Sequence, residues 1–362
     1  MKRALLLFLV FLPASVAASG SSVSDEVGFG AGQADPHSPR TAEVTNTITG
    51  SVDLGKEWSL DLSTGLTLLE PTKGVPRAQF GSAGTTTVYF SPGATWRPDD
   101  HLTFGLAVTY SPRSELRADT AISYSPAPGQ TANADALVSA VTTSRAARGL
   151  ISYDTAGFSN WETSIDLDGG VDHYDAEQRI ISARDPNGNA LGPAQLKAEA
   201  QSFCKTRACT RQVIGLFREH ATPLEQGTVR LRVTETIYRD TDVGMSGSYF
   251  MYDRDPTSVG YFGLVAPGRG ATFWSGIPLA PLQWSVRPEL THRFGNLSAR
   301  LGLEHGAYVD SEGTMDVLGA KLLYRFTRRF RMWITASVQR DKDAENNVTR
   351  FVQAALGVML SM

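Results

Sequence analysis

Residues 102–110 read Leu-Thr-Phe-Gly-Leu-Ala-Val-Thr-Tyr, with Leu102, Phe104, Leu106, Val108 and Tyr110 apolar and the residues between them small or polar. Successive side chains of an extended chain point to opposite faces, so alternation at period two marks a strand with one apolar face. The period recurs along the chain. Trp58, Leu60, Leu62, Leu66 and Leu68 alternate with Ser59, Asp61, Ser63, Gly65 and Thr67. Leu282-Trp284-Val286-Leu290, Leu297-Ala299-Leu301-Leu303 and Leu318-Ala320-Leu322-Tyr324-Phe326 follow. The last two are Phe330-Met332-Ile334-Ala336-Val338 and Val352-Ala354-Leu356-Val358-Leu360-Met362.

Two architectures produce this pattern. In a soluble sandwich the strands are about 5–6 residues and their apolar faces bury each other. Many segments here approach the ~9–11 residues that a tilted strand needs to cross a bilayer. Their polar face carries Gly, Ser, Thr and charges, as a wall around an aqueous lumen would. Aromatic residues stand at the segment ends, Trp58, Trp96, Trp161, Phe326 and Phe330 at one rim and Tyr110, Tyr174, Tyr252 and Tyr308 at the other. Such girdles place amphipathic rings at the two membrane interfaces. A membrane barrel is the favoured reading, with a secreted soluble β-protein as the other.

The N-terminus agrees with export. Lys2 and Arg3 precede the apolar run Ala4–Leu12, then come Pro13 and the small residues Ser15-Val16-Ala17-Ala18. That is the layout of a secretory signal peptide over residues 1–18, and its apolar run is shorter than the ~20 residues of a spanning helix. Removing it takes Lys2 and Arg3 and no acid, so 34 basic residues become 32 against 37 acidic, a formal balance of −5. A mildly acidic chain without a basic block gives nucleic acid no footing.

Short links at Gly55–Lys56, Pro98–Asp100, Ala156–Ser159, Thr241, Arg293–Asn296 and Thr327–Arg328 alternate with longer ones at 70–83, 112–141, 173–225 and 254–278. Tight periplasmic turns and long outer loops give that asymmetry. Thirteen strands are counted from residue 41. An even number is needed to keep both ends in the periplasm, which recruits Val27–Ala31 as a short first strand. The expectation is an all-β, antiparallel, up-and-down transmembrane barrel of about 14 strands over residues 19–362, with 12 or 16 compatible. Pro92 and Pro288 fall inside strands, and Glu235 falls on the lipid-facing parity of Val229, Leu231, Val233 and Ile237. Bulges at these places are expected to resolve the conflict.

On the export signal, the alternating strands and the amphipathic last strand Phe351–Met362, the chain resembles Gram-negative outer-membrane β-barrels as a class, over nearly all of its mature length. It ends in Met362, where the class commonly carries an aromatic residue. Fourteen-stranded fatty-acid transporters carry a sizeable N-terminal plug, and too few residues precede residue 43 here to form one. The resemblance implies an outer-membrane location, a lipid surround and no enzymatic activity.

The candidate site is the inner parity. Strand 160–172 turns Glu162, Asp166, Asp168 and Asp172 inward, and strand 226–240 turns Arg230 and Arg232 inward. Later strands add Arg287, Arg300, Lys321, Arg325 and Arg331, with Glu289 and Glu304 between them. One acidic stave then faces a mostly basic remainder, and opposed charge orients polar solutes in a narrow bore. The other reading is that these charges pair across adjacent strands and fill the lumen.

Loop 173–225 reads as helix through Ala194–Phe203 and again near Thr210–His220. Pro193 suits a helix's first turn. Cys204 and Cys209, the chain's two cysteines, lie between those stretches. In an exported chain they are expected to form a disulfide that staples the loop. Two cysteines are too few for a structural zinc site, and four intervening residues do not match the usual redox spacing. Lys197, Lys205, Arg207, Arg211 and Arg218 outnumber Glu199 and Glu219, a pattern of solvated surface that a partner could also use.

Of six histidines, His173 sits beside Asp172 and Asp175, and His305 follows Glu304. A His with an acid can act as a general base, but no nucleophile elbow, phosphate loop or zinc-helix motif accompanies them. No cofactor is expected. The favoured function is a passive channel for small hydrophilic solutes. The second is a docking barrel whose outer loops bind envelope proteins.

Overall fold

A computed structural model describes residues 21–34, 40–71, 82–127, 129–155, 162–203, 217, 223–256, 282–311, 313–343, 346 and 348–361. Fourteen strands close into one barrel: β1 (Ser21–Ala34), β2 (Arg40–Leu54), β3 (Trp58–Pro71), β4 (Ser82–Trp96), β5 (Leu102–Tyr124), β6 (Ala132–Thr155), β7 (Thr163–Arg184), β8 (Leu224–Tyr238), β9 (Thr241–Tyr252), β10 (Leu282–Phe294), β11 (Leu297–Tyr308), β12 (Gly313–Arg325), β13 (Phe330–Asp343) and β14 (Val348–Ser361). Each strand pairs antiparallel with its sequence neighbours, and β1 pairs with β14 to seal the ring. Closure leaves no edge, the condition for putting strands in lipid, where an unpaired backbone group costs several kcal/mol. Expected residues 1–18, Trp161, Cys204, Cys209 and, Phe217 apart, the second helical stretch lie outside the described residues.

The alternation sorts the two faces as expected. Leu60, Leu106, Leu231, Leu301 and Leu356 are all about half exposed on the outside, while Ser59, Thr45, Gly302 and Ala355 on the opposite parity are buried. An apolar surface turned outward on every strand is the inverse of a soluble barrel and needs lipid to cover it. At the periplasmic rim Trp58 stacks on Trp96 at 5.8 Å between ring centroids, and Trp96 on Phe104 at 5.3 Å. The turns there are tight: Gly55 adopts φ +82° between β2 and β3, and Gly295 φ +60° between β10 and β11.

Several expectations are corrected. The first strand is not the short Val27–Ala31 but all of Ser21–Ala34, so residues that could have formed a plug are wall. The segment 112–141 is not a loop: β5 runs to Tyr124 and β6 starts at Ala132, extending the hairpin past the membrane. β7 likewise continues to Arg184, and helix α1 (Pro193–Phe203) packs on this extension. Leu196 and Ala200 are buried against Ile122, Tyr124, Ala134, Ala136 and Ala183, which carry the strand parity that continues the lumen wall. The helix therefore lies on the inner side of the extended sheet, above the bilayer. In the loop leading to it, hydrogen bonds from the Asn189 side chain and from backbone N–H groups of Asn189 and Asn187 hold the Asp185 carboxyl below its usual range.

Bulges occur, but not at the prolines. Register shifts fall between Val88 and Phe90, Ser111 and Ser114, Leu137 and Val138, Thr236 and Tyr238, and Leu282 and Trp284. At Pro92 and Pro288 the ladder toward one neighbour lapses without a shift, resuming at Gly93↔Ala107 and Glu289↔Gly302. Glu235 stays on the outer parity near the periplasmic rim and accepts a hydrogen bond from Thr163 at 2.9 Å. Of the expected outer girdle, Tyr110 faces out. Tyr174, Tyr252 and Tyr308 face in: Tyr174 packs with Leu224, Tyr308 is buried with Phe250, Leu282 and Met315, and Tyr252 hydrogen-bonds the Leu282 carbonyl at 2.8 Å.

Candidate functional site

The inner wall is built from parity and small residues. Glu162 precedes β7 and is exposed at the periplasmic end. Asp166, Asp168 and Asp172 follow up the inner face of β7, each met by an adjacent strand. Asp166 accepts a hydrogen bond from Ser152 on β6 at 2.6 Å, and Asp168 lies 3.8 Å from Arg230 on β8. Asp172 is buried and faces Arg148 of β6 at 3.2 Å. Two acids of the stave, Asp168 and Asp172, thus face counter-charges, and Asp166 faces a hydroxyl. Strands seven apart face each other across a ring of fourteen, so β8, with Arg230 and Arg232, stands opposite β1, with Glu26. β10, with Arg287, stands likewise opposite β3, with Asp61.

The densest charge group is centred on Glu289 of β10. Arg232 reaches it from β8, crossing β9 where Ser246 and Gly244 leave room, and donates a hydrogen bond. Arg287 places Nε 3.8 Å away, and Arg300 of β11 places a terminal nitrogen 4.0 Å away. Three guanidiniums thus gather on one carboxylate. Both register partners of Glu289 are glycines, Gly244 and Gly302. A Cβ at Gly244 would stand 3.0 Å from the Glu289 Cγ, and one at Gly302 would stand 3.2 Å from the Arg287 Nε. The glycines let these side chains lie flat on the wall. Next to this group, Lys321 of β12 rests over the Trp333 ring, 5.2 Å from its centroid, a cation–π contact. Arg325 of β12 and its register partner Arg331 of β13 share the inner parity at the periplasmic end, where Arg325 is exposed, and Glu304 lies on the inner parity of β11, between Gly302 and Gly306.

Exposure separates two levels of the bore. The side chains of Arg230, Arg232, Arg287 and Arg300 keep 36–44% exposure although they point into a closed ring. Water therefore reaches the middle of the lumen. Nearer the outer end, inward residues on nine consecutive strands are buried, among them Ser111, Ser144, Asp172, Gln226, Phe250, Leu282, Tyr308, Met315 and Asp341. Asp341 is fully buried and accepts hydrogen bonds from Tyr308 at 2.6 Å and Gln339 at 2.8 Å. Packed inward side chains on β5–β13 thus overlie a level of exposed charges.

Arg148, Trp333 and Tyr89 were not singled out from sequence. Their parity places them inward, but only register shows what they meet. Tyr89 lies over Gly65, where a Cβ would be 2.2 Å from its ring, and Trp333 lies over Gly357 and Gly28 across the closing seam. His173 points outward, opposite in parity to Asp172, with Asp175 and Glu225 each at 3.6 Å. His305 is 2.7 Å from Asp316, also outside. Among the described residues no three His, Cys, Asp or Glu side chains are grouped to hold a metal ion.

No family model matches the chain, and no curated protein matches it. Solved structures do. A TodX monoaromatic hydrocarbon channel carrying the deltaS2S3 mutation is 11% identical, with 95% of this chain and 91% of that one covered and a TM-score of 0.54. The toluene transporter TbuX of Ralstonia pickettii is 9% identical, with 95% and 90% covered and a TM-score of 0.53. The CymD monoaromatic hydrocarbon channel is 8% identical, with 95% and 89% covered and a TM-score of 0.52. At such identities the likeness is one of fold. Together with the closed ring and its outward apolar belt, it makes this chain a fourteen-stranded outer-membrane β-barrel.

Proposed function

We propose that the barrel is a passive channel for small hydrophilic solutes, exported by its first 18 residues and selective through the charges of its inner wall. The observation that carries this reading is the 36–44% exposure of four inward guanidiniums inside a closed ring. A lumen filled by salt bridges would bury them. The similar structures bear titles naming monoaromatic hydrocarbon channels and a toluene transporter. A charged wet chamber favours polar solutes instead, because desolvating those guanidiniums against a hydrocarbon is costly.

Full-length protein reconstituted in planar bilayers tests this. Discrete conductance steps are expected, and replacing Asp166 and Asp168 with Asn should shift selectivity toward anions. Folded protein that leaves the bilayer silent would overturn the channel.

A docking role is the second reading, favoured by the extended β5–β7 sheet and α1 above the membrane. A Cys204–Cys209 disulfide stapling the following residues belongs to it. Crosslinking from this extension in intact cells should trap one specific envelope protein; trapping none counts against it.

A further inference from the structure

We propose that Arg232, Arg287 and Arg300, gathered on Glu289, form a binding station for the oxyanion group of a solute, a carboxylate or a phosphate, midway along the bore. The proposal rests on the channel reading for its role in transport; the binding itself does not.

Charge is the first support. Three guanidiniums on one carboxylate leave an excess of two positive charges at one level of the wall. The same sector, β8 to β12, also carries Arg230 and Lys321 on its inner face, against Glu304 and against Asp242, whose charge is met by Arg293. Arg230 is occupied by Asp168 from β7. The local field therefore favours an anion.

Hydrogen bonding is the second. A guanidinium has five N–H donors, while a carboxylate accepts about four bonds. Glu289 takes one from Arg232. Arg287 and Arg300 stand 3.8 and 4.0 Å from it, beyond hydrogen-bond reach. Among the described residues neither has another acceptor, so their donors are left to water or to a solute. The planar fork of Arg matches the two oxygens of a carboxylate or phosphate.

Placement is the third. The Glu289 side chain is 10% exposed, whereas Arg287 and Arg300 are 41% and 44% exposed. The negative charge is tucked against the wall and the positive charges meet the water. Gly244 and Gly302 on either side make that arrangement possible. Ser246, Ser248 and Gly319 add no bulk near it. The site is recessed, positive and wet, which suits a solute that must bind and then leave.

Full-length protein in planar bilayers under a KCl gradient, with inorganic phosphate as the probe, tests the station. The wild type should be anion-selective, and phosphate should lower the chloride current in a saturable manner. Arg287→Gln with Arg300→Gln should reduce the anion-to-cation permeability ratio at least about fivefold, the factor one unit charge supplies at contact distance in bulk water. It should also abolish the phosphate effect. Glu289→Gln should move the ratio the other way, and Arg300→Lys should keep the anion preference. Folded variants indistinguishable from wild type in reversal potential and phosphate block overturn the station while leaving the channel intact. If folded wild-type protein does not conduct, the channel reading fails by itself. Calorimetric titration of phosphate into the detergent-solubilised protein then decides the station: saturable heat that Arg287→Gln/Arg300→Gln removes supports it, and no heat from wild type refutes it.

Discussion

Gly357→Ala tests the packing of the closing seam. Gly357 lies on the inner face of β14, and an added Cβ would stand 2.4 and 2.6 Å from two carbons of the Trp333 ring and 2.6 Å from the Val27 carbonyl oxygen of β1. Relaxed carbon contacts lie near 3.5–4.0 Å, so a gap of roughly 1 Å must open on both sides at once. The ring has little freedom to yield, being only 3% exposed and lying close to Gly28 as well. The carbonyl can move only if β1 parts from β14. Overpacking of this kind costs about 1–3 kcal/mol, and weakening a ladder hydrogen bond at the seam adds about 1 kcal/mol. The expected destabilisation is about 2–4 kcal/mol. Gly319→Ala is the matched control, since its nearest heavy atom is the Ser337 Cβ at 3.9 Å, and it should be neutral or stabilising by up to about 1 kcal/mol. Urea unfolding of the refolded barrel in lipid vesicles, followed by tryptophan fluorescence and by heat-modifiable gel mobility, measures both. In a Trp333→Ala background, itself destabilised by the cavity it leaves, Gly357→Ala should cost less than in wild type but still cost something, because the Val27 carbonyl still obstructs. Equal midpoints for Gly357→Ala and Gly319→Ala would refute the reasoning.

Two further predictions concern the part above the membrane. Leu196→Ala should remove the buried anchor of α1 against Ile122 and Tyr124, a local loss of about 2–5 kcal/mol. Amide exchange should speed up in residues 193–203 while β10–β13 keep wild-type protection; unchanged exchange in α1 would show that the contact does not hold the helix. Asp185, whose carboxyl is held below its ordinary value by Asn189 and backbone N–H groups, should order its turn fully above about pH 4. That order should be lost as pH falls through the lowered value, because protonation removes the acceptor. NMR amide shifts of Asn187 and Asn189 should titrate there in wild type and not in Asp185→Asn; identical titration in both would assign the change to another group.

Much of the architecture was legible from residues in line. Alternation in Leu102–Tyr110 and its repeats specifies strands with one lipid-compatible face, because the pleat ties every second side chain to one side. That parity also sends Asp166, Asp168, Arg230, Arg232, Arg287 and Arg300 inward. It failed where the strands leave the bilayer. In 112–141 neither face needs to be apolar, so the pattern lapses although β5 and β6 continue. It failed again at Tyr174, Tyr252 and Tyr308, which look like an interface girdle by residue type but pack inside.

Which charges meet was decided only by the tertiary structure. Glu289 and Arg300 share the tight β10–β11 hairpin, but Arg232 lies 57 residues from Glu289, and nothing local says that β8 and β10 bring them to one level. That depends on register, which accumulates through every hairpin, bulge and tilted strand around the ring. Whether the lumen is wet or filled is also a property of closure, since an inward guanidinium reads the same in sequence whether it meets water or a partner. The faces of this barrel are local consequences of the pleat; its charged chamber exists because fourteen registers sum to a closed ring.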